Sequence, residues 1–66
     1  MVIRFAYKAT RAELIRYDTR YWGIEIWYGA EDYYYIVVNR KVYRTLFKQY
    51  KQVKMLIDLL MELNQI

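Results

Sequence analysis

Between residues 40 and 54 the chain carries Arg40, Lys41, Arg44, Lys48, Lys51 and Lys54 and no acidic side chain. Guanidinium and ammonium groups spaced this closely neutralise phosphate or meet an acidic protein surface. Tyr21, Trp27 and Tyr43 add a second ingredient. Aromatic rings on a sheet beside Lys and Arg form the stacking platform of single-strand nucleic-acid binders, where one stacked base is worth about 1–3 kcal/mol. The ordinary alternatives are a solvated helix face for the lysines and, for the rings, a second core covered by residues 1–17.

Other chemistry is poorly served. The chain has no His, Cys or Ser, so the usual pairings of nucleophile and base cannot be assembled. Two-metal nuclease chemistry needs clustered carboxylates. Only Glu25, Glu31 and Asp32 lie close in sequence, and the last two fall in a turn where solvation explains them. There is no Gly-rich phosphate loop. A non-enzymatic protein without a cofactor is expected.

Sixty-six residues make one domain, and a chain this short buries only about 60% of the surface its unfolded form exposes. Disulfides and a Cys/His zinc site are unavailable as staples. Stability must therefore come from a core dense in large side chains, or from oligomerisation. With 58% hydrophobic and 20% aromatic residues, both routes are open. Glycine occurs only at 23 and 29 and proline is absent, so no linker interrupts the chain. Apolar runs fall short of the roughly 20 residues that span a bilayer, and the N-terminus MVIRFAYKATR lacks a secretory pattern. A soluble, cytoplasmic protein without a membrane partner is expected.

The net charge of +4 is unevenly spread, at +3 over residues 1–20, −3 over 21–39, +6 over 40–54 and −2 over the remainder. The elements that must position these charges follow from hydrophobic period. Residues 1–8 alternate and predict a strand. In residues 10–17, Thr10 followed by Glu13 has the form of a capping box and predicts a short helix; a strand is the alternative for the same residues. Residues 18–20 read as a turn. Residues 21–28 alternate clearly as a strand, 29–32 supply a hairpin loop, and 33–38 are apolar on both faces as in a central strand. Asn39 and Arg40 turn the chain into a strand over 41–45.

Register decides which rings share a face. With a first loop of four residues and a second of two, one face collects Trp22, Ile24, Ile26, Tyr33, Tyr35, Val37, Val42 and Leu46. With three residues in each, Tyr34, Ile36 and Val38 replace the middle set. Both place Trp27 and Tyr43 on the opposite face, with Tyr21 and Glu25.

Thr45 is a candidate N-cap for a long final helix, whose core stripe is Leu46, Tyr50, Val53, Ile57 and Leu60, widened by Leu56 and Leu63. Its lysines precede its acids, the reverse of what a helix dipole favours. Beyond Lys54, Met55, Leu59, Met61 and Leu63 leave little polar cover, which predicts a homo-oligomer through this half. The bland alternative is that the sheet wraps it.

The expected fold is α+β: an antiparallel sheet of three to four strands with one long C-terminal helix packed on it, and residues 10–17 left open between a short N-terminal helix and a strand. The expected function is binding of nucleic acid, single-stranded above all. Arg40, Lys41, Arg44, Lys48 and Lys51 would meet phosphates, with Trp27, Tyr43 and Tyr21 as the aromatic face. The alternative is a protein-binding accessory factor or inhibitor of the phage or mobile-element type, using the same Tyr, Trp and Arg residues against a host enzyme or defence protein.

Overall fold

The computed structural model describes residues 6–66. In chain order these form β1 (Ala6–Ala9), a 3₁₀ turn (Arg11–Glu13), β2 (Leu14–Tyr21), β3 (Ile24–Gly29), a 3₁₀ turn (Ala30–Asp32), β4 (Tyr34–Val38), β5 (Lys41–Thr45) and α1 (Tyr50–Glu62). The fold is α+β, with an antiparallel sheet of five strands in the order β1-β5-β4-β3-β2. Of the strand expected over residues 1–8, the part over 1–5 lies outside the described residues. No helix among the described residues is long and apolar enough to cross a membrane.

The strand count exceeds expectation because residues 14–21 pair along β3. Their alternation is obscured by two register shifts, between Leu14 and Arg16 and between Tyr17 and Thr19. Each inserts a residue that breaks the period of two. The expected helix over 10–17 shrinks to the single turn Arg11–Glu13, where the Glu13 carboxylate accepts the Thr10 N–H at 3.0 Å. The expected turn at 18–20 is strand, and the chain reverses at Trp22 and Gly23 instead.

Register corrects the assignment of faces. Tyr28 pairs with Tyr34 and Ile26 with Ile36, so an odd connection, residues 29–33, joins β3 to β4. An even one, residues 39–40, joins β4 to β5, where Ile36 pairs with Tyr43. Both expected loop combinations had matching parity; the actual mixture brings Tyr43 round to the face of Ile26 and Ile36. There Ile24, Ile26, Ile36, Val38 and Tyr43 pack against Val53, Leu56, Ile57 and Leu60 of α1.

The helix starts later than expected. Thr45 is wholly buried at the end of β5, where its hydroxyl donates to the Tyr34 carbonyl at 2.7 Å and accepts the Phe47 N–H at 3.3 Å. Committed to the sheet, it cannot cap α1, whose N-cap is Gln49. Leu46 is exposed and Phe47 joins the core in its place. Lys48 precedes the helix, and the dipole penalty expected there falls on Lys51 in the first turn.

The other face of the sheet holds Tyr35, Val37 and Val42, ringed by Ala9, Leu14, Trp27, Ala30 and Tyr33. Five strands side by side would set β1 and β2 about 19 Å apart. The five Cα steps from Ala9 to Leu14 reach about 17 Å fully extended and less through a 3₁₀ turn. The sheet must therefore curl, and the connection closes its concave side. Gly29 shows how tightly: a Cβ there would stand 2.6 Å from the Glu13 carbonyl oxygen and collide with the Tyr35 ring. The Tyr35 hydroxyl donates to Glu13 at 3.3 Å, sealing the contact.

Two outcomes follow. Gly29→Ala should destabilise the fold by about 1–3 kcal/mol, read from the urea midpoint; an unchanged midpoint contradicts the close approach. Burial, and then the Glu13 carboxylate, raise the Tyr35 hydroxyl above its ordinary range. The folded state thus holds that proton more tightly than the unfolded chain, so stability is complete below about pH 10 and falls as pH rises beyond it. Tyr35→Phe should make that alkaline fall shallower, and an equally steep fall would place its cause elsewhere.

Candidate functional site

Two tight turns define the site. Tyr21 pairs with Ile24 across Trp22 (φ 53°) and Gly23 (φ 80°). Val38 pairs with Lys41 across Asn39 (φ 50°) and Arg40 (φ 67°). Positive φ at both central residues is the type I′ arrangement, which suits the twist of the flanking strands and favours Asn-Gly. Because Glu25 pairs with Val37, the start of β3 lies beside the end of β4, and both turns leave the same end of the sheet. Gly23 and Asn39 suit their positions. Trp22 and Arg40 do not, since a bulky side chain in the left-handed region is strained.

Neither residue is held there by burial: Trp22 is 68% exposed, touching Tyr21 edge to face at 6.0 Å, and Arg40 is exposed. Cations surround them. Lys41 is exposed at the start of β5, and Lys8 on β1 lies diagonally across from it, opposite Tyr43. Arg20 flanks the first turn and reaches Glu25 at 3.9 Å. Among the described residues the other ion pair is Arg44 with Glu31, so Arg40 and Lys41 stand without an anionic partner. The hairpin end thus offers one open aromatic ring beside two cations, Arg40 and Lys41, that have no ion-pair partner among the described residues, with Glu25 and Asp58 as the nearby acids.

The remaining expected residues divide differently. Strand β5 is interior to the sheet, covered by β1, so no basic sheet edge runs along it. Arg44 and Lys48 converge on Tyr33 near the opposite end, with the guanidinium 5.0 Å and the ammonium 4.8 Å from the ring centroid. Lys51 is exposed on α1. Trp27 lies on the concave side, half-buried, its indole N–H donating to Glu25 at 2.9 Å and its ring edge to face with Tyr17 at 5.6 Å.

Tyr43 is a correction: at 8% exposure it is core under the helix and offers no ring to a ligand. Tyr21 too packs on the helix side rather than with Trp27, its hydroxyl donating to Asp58 at 2.9 Å. Tyr28 donates to Asp32 at 2.6 Å, which raises its hydroxyl above the ordinary range. Of the residues expected at an oligomer interface, Met55, Leu59 and Leu63 share one flank of α1, while Met61 lies on the other.

Trp22 was missed as a site residue because its alternation with Ile24 and Ile26 placed it in a strand. The signal for its true position is the adjacent glycine, the only one before the 29–33 connection.

Trp22→Asn and Arg40→Gly each create an Asn-Gly pair. Each should raise stability by about 0.5–1 kcal/mol by relieving the left-handed strain, measured by urea unfolding. A loss of stability in both would show that the fold needs these side chains where they are.

Comparison of the chain with protein-family models, with curated proteins and with solved structures gives no match.

Proposed function

We propose that this protein is a non-enzymatic module that binds single-stranded nucleic acid with its hairpin end. The observation behind this reading is that two neighbouring type I′ turns each hold a strained, exposed side chain where a smaller residue would serve the fold better, one an aromatic and the other a cation. Strain of this kind clusters at functional sites.

Trp22 supplies a ring on which an unpaired base stacks, and Arg40 and Lys41, with Arg20 beside them, receive the flanking phosphates. A turn tip presents one ring rather than a helix or ribbon shaped for a duplex groove, which favours a single strand. Arg44, Lys48 and Lys51 stand away from the tips and contribute to the long-range field that draws a polyanion in.

The test is fluorescence anisotropy of labelled single- and double-stranded oligonucleotides over a salt series. Single strands should bind more tightly than duplex, with affinity falling as salt rises. Trp22→Asn should weaken binding by about tenfold, from the loss of one stacked base. Arg40→Gly with Lys41→Ala should reduce the logarithmic salt slope by about 1.4, for two phosphates on a single strand. No binding at low salt, or binding indifferent to Trp22, defeats the proposal. A partner held with little salt dependence would move the site to a protein-binding role.

A further inference from the structure

The outer flank of α1 is apolar where a solvated helix would be polar. Met55 is 67% exposed and Leu59 38%, and together with Phe47, Gln52 and Leu56 they line an open groove of about 520 Å³. At 100° per residue Gln52, Met55, Leu59 and Leu63 fall on one stripe, and Lys51 and Glu62 lie along a single border of it, one at each end of the helix.

The charges on that border are opposed to their own helix. The first turn of α1 holds no acid and the last turn no base, so Lys51 faces the positive end of the dipole and Glu62 the negative end. Within one chain both placements are unfavourable. Across a two-fold axis perpendicular to the helix both become favourable, because each N-terminus then lies beside the partner's C-terminus.

We infer that this flank is the interface of a homodimer in which two α1 helices pack antiparallel. With the axis passing midway between Met55 and Leu59, Met55 meets the partner's Leu59 and the reverse. A two-fold axis of this kind keeps like borders together, so Lys51 comes beside the partner's Glu62 and Glu62 beside the partner's Lys51. The contact is isologous and closed, as two-fold interfaces are. A chain of another kind would need its own reversed charge order to match this border, whereas a second copy of this chain carries it.

Sedimentation equilibrium of the full chain, up to about 0.5 mM so that even a weak dimer populates, gives the mass. The expected result is a monomer–dimer equilibrium. Leu59→Glu, on an exposed position, should leave the circular dichroism unchanged and the protein monomeric. Lys51→Glu should weaken the dimer by about tenfold, since two symmetric pairs turn from attraction to repulsion. Adding Glu62→Lys to it should restore the dimer to near its original strength. A monomer at every concentration overturns the inference and leaves the groove to another occupant. It also fails if the dimer is unaffected by Leu59→Glu, or if the double variant is no stronger than Lys51→Glu alone.

Discussion

The contact of Glu13 and Gly29 over the Tyr35 ring is the constraint on which the rest of the structure depends. A short connection must carry the chain from one edge of the sheet to the other, and it can do so only if the sheet curls and the strand beneath offers no Cβ. Curling makes an enclosed concave side, where Tyr35 is wholly buried. The convex side remains for the helix. In a chain this small, two cores on one sheet are how enough apolar surface leaves water without a disulfide or a metal.

The same arrangement decides which surfaces are covered. One face of the sheet is covered by α1, and on the other Glu13 of the 10–13 connection closes over Tyr35. An open aromatic platform on a sheet face, the arrangement that the tyrosines and tryptophans lead one to expect, has little room. Exposed rings remain at Tyr7 and Tyr17 on the edge strands and at Trp22, and of these Trp22 stands at the hairpin end with Arg40 and Lys41. Two acids are ion-paired, Glu25 with Arg20 and Glu31 with Arg44, while Glu13, Asp32 and Asp58 accept tyrosine hydroxyls and keep their charge, and none of them pairs with Arg40 or Lys41. Positive charge at the hairpin end is left to face solvent.

Much of this was legible in the residues, and the failures have identifiable causes. The strand of Ile24 and Ile26, the central strand around Ile36, the strand after Asn39 and Arg40, and the helix stripe of Val53, Leu56, Ile57 and Leu60 all follow their expected periods. Register was not legible, because residues 33–38 are apolar on both faces and fit either parity equally well. The price of that ambiguity was Tyr43, assigned to the wrong face. Strand β2 was hidden by its bulges, and Thr45 by the double use of a hydroxyl that can cap a helix or tie off a strand. Trp22 escaped because its conformation contradicts its propensity, which is the same reason it marks a candidate site.

The pairing of Ala6 with Thr45 also bears on the order in which the molecule assembles. Strands β2 to β5 are joined by short connections and can zip together from local contacts, whereas β1 has no partner until β5 is in place and must close nearly the whole length of the sheet's chain. On a ribosome, β1 emerges ahead of the other four strands and waits for the last of them. The four-strand meander and its helix form a body that β1 completes.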